Sequence, residues 1–311
     1  MSQFQTDNAG HRRFVLTPQG TAIAWILTSV AGATAMTLGV RHVSAEIHSV
    51  MLAFLRSTLA LLPVIPVIWA ARRPGGRPLR FTAWPLHLLR GLVMVGALNF
   101  GFYAIWKLPL ATSTVLFFMA PIFATLFAMA LLGERVGPRR WVAMMAAFTG
   151  AIVILRPDAG RIEPAMVLAL ISALCFGSVL VLGRMATDRD GPNAVFVSSS
   201  VIVAILCVPP ALFFWELPSS ITTWVLIVVV VVGSSLRSFA DIKAYAIGDA
   251  GFLAPFSYLR LVTVGVAAYL LFGEVPDEAT FLGGAIIVAA TLYIALREAQ
   301  LRRASTTSAA P

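Results

Sequence analysis

Ten apolar stretches, each close to the length needed to cross a bilayer, follow one another along the chain with only short polar breaks between them. A helix crossing the hydrocarbon core needs about 20 apolar residues. On that criterion spans are expected over 19–40, 48–70, 86–106, 110–132, 139–156, 164–184, 194–215, 222–246, 251–272 and 279–297. Turn-forming residues separate them: Arg73 to Pro78 after the second, Gly137-Pro138 before the fifth, Asp190 to Asn193 before the seventh. No connection leaves room for a soluble domain. The Ser/Thr/Ala-rich end after Arg303 is expected to be disordered.

Two of these stretches repeat one another about 140 residues apart. The fourth runs from Leu108 through Ala120-Pro121 into Gly133-Glu134; the ninth runs from Ala250 through Ala254-Pro255 into Gly273-Glu274. Internal repetition of hydrophobic spans marks a transporter built from two related halves. Five spans per half is an odd number, so the second half must enter the bilayer in the opposite sense. The expectation is an all-α membrane protein of ten transmembrane helices in two inverted five-helix repeats. The repeats cover 19–157 and 163–298, with tails at 1–18 and 299–311.

Composition agrees. The chain is 59% hydrophobic and 12% charged, with a mean hydropathy of +0.88, where a soluble chain carries about 25% charged residues. The net charge of +9 does not call for nucleic acid, because the arginines sort by side. With the N-terminus inside, the cytoplasmic segments hold Arg12, Arg13, Arg72, Arg73, Arg77, Arg80, Arg135, Arg139, Arg140, Arg184, Arg189, Arg297, Arg302 and Arg303. The opposite side holds Arg41, Lys107, Arg156 and Arg161. This bias predicts both termini in the cytoplasm of a protein of the inner (plasma) membrane. Arg12-Arg13 precedes a full-length span with nine more behind it, so it reads as an anchor and not as a cleaved export signal. Cys175 and Cys207 are solitary, and His11, His42, His48 and His87 are scattered without a partner at i+4. No metal site and no cofactor is expected.

Ionisable groups at membrane depth are costly and call for a partner or a function. Arg56 falls in the second span, Arg237 and Asp241 in the eighth, and Arg260 in the ninth. Asp241 is one turn from Arg237, which makes it a counterion or, as the lone acid well inside a span, a proton-coupling group. Backbone carbonyls, Asp241 or cavity water can neutralise these arginines; the alternative is that three guanidiniums against one carboxylate leave a positive cavity suited to anionic or electron-rich substrates. Arg90 and Lys243 lie where they can snorkel. Asn99, Phe102, Tyr103 and Trp106 share one face of the third span; such an aromatic stripe is usually packing or an interfacial belt, whereas Asn99 with Tyr103 suggests a cavity wall. Pro121 and Pro255 break the ladders of spans four and nine and free the carbonyls of Phe117 and Gly251, as hinges or as part of a wet path. Phe118 and Tyr258 hold matching places in the repeats and are candidate stacking faces. The expected substrate site is Asn99, Tyr103, Phe118, Arg237, Tyr258 and Arg260. Glu134 and Glu274 are expected to cap the helix that follows each of them.

Several segments carry a family resemblance: Leu52 to Ser57, Phe102 to Ala111 continuing through Ala120-Pro121 to Gly133-Glu134, and Lys243 to Ala246 continuing through Ala254 to Leu259 and Phe272 to Asp277. A further one is Leu292 to Glu298. Over roughly residues 20–300 the pattern resembles the EamA branch of the drug/metabolite transporter superfamily. The later segments resemble its subgroup of S-adenosylmethionine and riboflavin transporters and metallophore exporters. The resemblance implies a ten-helix secondary carrier with a central cavity. It moves a small organic metabolite by alternating access, either riboflavin or a similar planar molecule. Alternatively the cargo is S-adenosylmethionine, or the chain exports an amino acid or other metabolite. Protons are a possible coupling ion. An intramembrane enzyme is disfavoured, since there is no HExxH, no Gly-x-Ser-x-Gly, no aspartyl pair and no intramembrane Ser/His/Asp grouping by spacing. A channel is disfavoured by the lack of a filter-like loop, and no Walker A sequence is present.

Overall fold

The computed structural model describes residues 2–6, 12–16, 18–73, 78–134, 136–156, 163–248 and 250–308. Of the residues named above, Arg77, Arg135, Arg161 and His11 lie outside them. A short antiparallel hairpin, β1 (Ser2–Thr6) with β2 (Arg12–Leu16), precedes the bundle. Fourteen helices follow: α1 Pro18–Val43, α2 Ser49–Leu59, α3 Val64–Arg72, α4 Trp84–Lys107, α5 Leu110–Phe117, α6 Ala120–Leu132 and α7 Pro138–Leu155, then α8 Pro164–Asp190, α9 Pro192–Leu206, α10 Val208–Phe213, α11 Ile221–Ile247, α12 Ala250–Ser257, α13 Leu259–Phe272 and α14 Glu278–Ser308. Among the described residues they compose ten spans long and apolar enough to cross a membrane, as the hydropathy pattern predicts. α14 continues to Ser308, beyond the expected end of the last span and into the stretch expected to be disordered.

Four spans are not single helices. The fourth divides at Phe118-Met119 just before Pro121, and the ninth at Tyr258, three residues after Pro255. The second divides between Leu59 and Val64 and the seventh at Cys207, places where Pro63 and the Pro209-Pro210 pair interrupt the i→i−4 ladder. Breaks in the fourth and ninth spans were expected from the sequence; those in the second and seventh were not.

Packing between spans is reciprocal. α1 lies along α11, α4 along α8, and α7 along α14, so the first span of each five lies on the third span of the other five, and the fifth spans meet. Without a hydrophobic drive between helices in lipid, small residues set how closely backbones approach. A Cβ added at Gly32 would come within 2.8 Å of the Gly233 carbonyl oxygen, and one at Gly283 within 2.5 Å of the Gly150 carbonyl oxygen. The α4–α8 contact is tied by Ser172, whose hydroxyl donates to the Ala97 carbonyl at 2.7 Å. Large apolar side chains such as Phe213, Ile221, Leu270 and Phe281 are more than 70% exposed, as a lipid-facing surface requires.

Candidate functional site

Arg56 on α2, Arg237 on α11 and Arg260 on α13 converge in the interior, with Arg56 and Arg260 both within electrostatic reach of Arg237. The Nε atom of each is shielded from solvent and has no hydrogen-bond partner. Asp241 lies 3.8 Å from Arg237, a contact that attracts but is too long for a hydrogen bond. Arg260 reaches the Thr37 hydroxyl of α1 at 3.4 Å, and the Arg237 guanidinium lies 5.8 Å from the centre of the Phe176 ring. Among the described residues one carboxylate therefore faces three cations, and Nε donors remain unused.

The ring pair sits at the broken helices. Phe118 closes α5 and Tyr258 opens α13; their centroids are 4.9 Å apart with the planes inclined at 44°. Tyr258 also lies close to Thr291 of α14, and Tyr245 to Ser257 and Asp241. The six residues singled out from the sequence, Asn99, Tyr103, Phe118, Arg237, Tyr258 and Arg260, are all partly exposed, neither sealed in the core nor splayed toward lipid. Arg237 and Arg260 share one cluster, and Phe118 with Tyr258 another. Tyr103 meets Trp106 edge-on at 5.8 Å. Asn99 turns back on its own helix, donating to the Val95 carbonyl at 2.9 Å, while its amide oxygen is buried without a partner.

Two clefts of about 400 Å³ and about 380 Å³ lie on the periphery. They are lined by α3 residues such as Pro66, Ala70 and Ala71 with Asn193 and Val197 of α9, and neither is lined by Arg56, Arg237 or Arg260. Arg90 meets the Ser199 hydroxyl of α9, and its Nε is buried beside Gly183 of α8, so it packs between helices where the sequence suggests a snorkelling side chain.

Three arrangements were not legible in the sequence. The first corrects an expectation. Glu274 does not cap the helix after it: Asp277 does, accepting from the Thr280 amide at 2.7 Å. Gly273, at φ 66°, turns the chain back. That turn carries Glu274 to the start of α5 in the other half of the chain, where it accepts from the Leu110 amide at 2.7 Å and from Arg41 at 2.6 Å. The second is the counterpart: Glu134, after Gly133 at φ 67°, does not cap α7 but takes Arg184 at 2.9 Å. The repeated Gly-Glu was the only sequence signal for either contact.

The third is a Ser/His/Asp grouping that spacing does not reveal. The Asp190 carboxylate at the end of α8 lies 2.9 Å from His87 Nε2, whose Nδ1 is 2.7 Å from the Ser198 hydroxyl of α9. Asp190 also accepts from the amides of Thr82 at 3.0 Å and Ala83 at 2.9 Å, and from the Thr82 hydroxyl. His87 and Ser198 are both buried. The grouping thus ties the start of α4 to the α8–α9 corner. Among the described residues no group of three His, Cys, Asp or Glu is placed to hold a metal.

The profile of the EamA-like transporter family matches the chain twice, over residues 20–156 and 163–296. The chain belongs to that family. The transporter is 30% identical over 281 residues to an S-adenosylmethionine uptake transporter of Rickettsia bellii, covering 89% of this chain and 94% of the relative. It is 29% identical over 283 residues to a riboflavin transporter of Vibrio cholerae, covering 90% and 94%. A solved crystal structure superposes with a TM-score of 0.56 at 18% identity, over 89% of this chain and 98% of that one. At that identity the likeness shows the fold alone. A transporter of ten apolar helices is a multi-pass membrane protein.

Proposed function

We propose that the chain is a secondary carrier for riboflavin or a similar planar, carbonyl-rich or anionic metabolite. It works in the inner (plasma) membrane with both termini in the cytoplasm. The observation that carries this reading is the arginine cluster, with Arg260 two residues along the chain from Tyr258 of the ring pair. Arg56, Arg237 and Arg260 offer buried Nε donors without a partner, against a single carboxylate among the described residues, and Phe118 and Tyr258 offer aromatic faces at the helix breaks. Guanidinium donors suit carbonyl and carboxylate oxygens, and aromatic faces suit planar rings. The two halves, inverted with respect to one another, rock about this site, which opens to each side in turn. Asp241 serves as the counterion of Arg237, 3.8 Å away on the same helix face. The His87–Asp190–Ser198 grouping is a strut at a helix corner, and the chain is not an enzyme.

S-adenosylmethionine is the second reading, and the relative from Rickettsia bellii favours it. Its carboxylate and adenine fit the same groups, but its sulfonium and ammonium meet a site with surplus positive charge. The discriminating experiment is transport in vesicles containing the full chain, with labelled riboflavin and labelled S-adenosylmethionine compared in parent and Arg260→Ala protein. The riboflavin reading stands if riboflavin is moved and the variant loses that movement. It falls if riboflavin is neither moved nor able to compete.

A further inference from the structure

The two Gly-Glu turns are alike in the backbone and unlike in what they hold. In each, glycine adopts a left-handed conformation, and the glutamate amide donates six residues back, Glu134 to the Ala128 carbonyl at 3.4 Å and Glu274 to the Ala268 carbonyl at 3.3 Å. Each glutamate then pairs with an arginine on the first span of the opposite half, Glu274 with Arg41 on α1 and Glu134 with Arg184 on α8. These contacts lie at opposite ends of the bundle.

At the Arg41 end the contact is locked. Arg41 donates to the carbonyls of Ile105 and Leu108 at 3.2 Å and to that of Trp106, and Glu274 takes both Arg41 and the Leu110 amide. Four chain segments are thereby pinned: the end of α1, the end of α4, the start of α5 and the end of α13. Leu108 and Leu110 beside them are fully buried, and α5 packs against α13. The side chains of Arg41 and Glu274 are 24% and 15% exposed.

At the other end the same pair of residue types is a surface contact. The side chains of Arg184 and Glu134 are 64% and 38% exposed, and among the described residues no comparable packing joins α6 to α12, the segments that correspond to α13 and α5. An exposed ion pair holds little, whereas a charged pair that also satisfies backbone groups at a helix start holds more.

The geometry points to Arg41–Glu274 and Arg184–Glu134 as the two gate latches of the transport cycle, with the structure closed at the Arg41 end. Glu274 and Arg41 are positioning residues: they touch no substrate and decide from which side the arginine site is reached. When the cycle reverses, the Arg41 latch parts and Glu134 tightens its hold at the opposite end. Because the two ends share one bundle, only one latch is tight at a time. This rests on the carrier reading and on its orientation, which puts the Arg41 end outside.

The test uses Thr37, which is fully buried on α1 one turn inside Arg41 and meets Arg260. In full-length protein with Cys175→Ala and Cys207→Ala, Thr37→Cys becomes the single thiol. Its labelling by a membrane-impermeant maleimide from outside intact cells reports opening of the Arg41 end, and needs no substrate. The parent should label slowly. Glu274→Gln should raise the rate at least fivefold, and so should Arg41→Gln, which leaves the cap on Leu110 in place. Glu134→Gln should lower it. Opposite signs from two chemically identical changes exclude general loosening of the fold. The proposal is overturned by a parent that labels freely from outside, or by Glu274→Gln and Glu134→Gln shifting the rate in the same direction. Failure of riboflavin transport, by contrast, leaves this readout intact and faults only the substrate reading.

Discussion

Arg237 and Asp241 face each other across one turn of α11 with 3.8 Å between Nη1 and Oδ2, close enough to attract and too far to share a hydrogen bond. Their side chains keep 25% and 32% exposure, so the pair contributes little to folding, on the order of 0.5 kcal/mol. With this separation, Asp241→Asn should leave the yield of folded protein in detergent near parent and act on transport. Arg237→Gln/Asp241→Asn should fold equally well. A transport rate that keeps its size in Asp241→Asn but loses its pH dependence would make Asp241 the proton carrier.

Among the described residues the one hydrogen bond of the Arg260 side chain is the long one to Thr37 at 3.4 Å, so its guanidinium keeps donors for a ligand. Arg260→Ala should weaken binding of a carbonyl-rich or anionic ligand by about 1.5–3 kcal/mol, the range for hydrogen bonds to charged groups. Arg260→Lys should recover part of that loss, since it keeps the charge and not the fork. Titration of the purified protein with riboflavin measures both.

The Phe118–Tyr258 contact predicts discrimination by shape. Tyr258→Ala and Phe118→Ala should each weaken a planar ligand by about 0.5–1.5 kcal/mol beyond the lost contact area. An aliphatic carboxylate should be affected less. Equal losses for both ligand types would assign the rings to packing alone.

Close helix approach gives a stability test. Gly32→Ala places a methyl 2.8 Å from the Gly233 backbone oxygen, where no flexible side chain can yield, and should cost about 1–3 kcal/mol. Gly265→Ala, with nothing within 4 Å of the added carbon, should be tolerated. Thermal unfolding in detergent separates them.

Glu46, in the loop before α2, holds the start of α11. Hydrogen bonds from the Thr223 hydroxyl and from Ser219 hold its pKa down from 4.5 to about 2. A carboxyl depressed in the folded state stabilises it fully above about pH 4.5, and the contribution is lost as pH falls toward 2. The melting temperature of the parent should therefore drop between pH 4.5 and 2 by more than that of Glu46→Gln.

Span number, length and the two-fold repetition were legible in the chain because bilayer thickness imposes a length on every apolar stretch, wherever it later packs. The arginines at depth were legible for the same reason: Arg56, Arg237 and Arg260 stand out against lipid before any neighbour is known. What touches what was not. The shift of Glu274 from its own corner to Leu110 and Arg41 depends on the left-handed turn at Gly273 and on how α13 lies against α5. His87, Asp190 and Ser198, about 100 residues apart in part, meet only because α4, α8 and α9 share a corner. The inequality of the two Gly-Glu turns is the clearest case. Two copies of one short motif read the same in sequence, and only the packing of whole helices around each makes one a buried lock and the other an exposed contact.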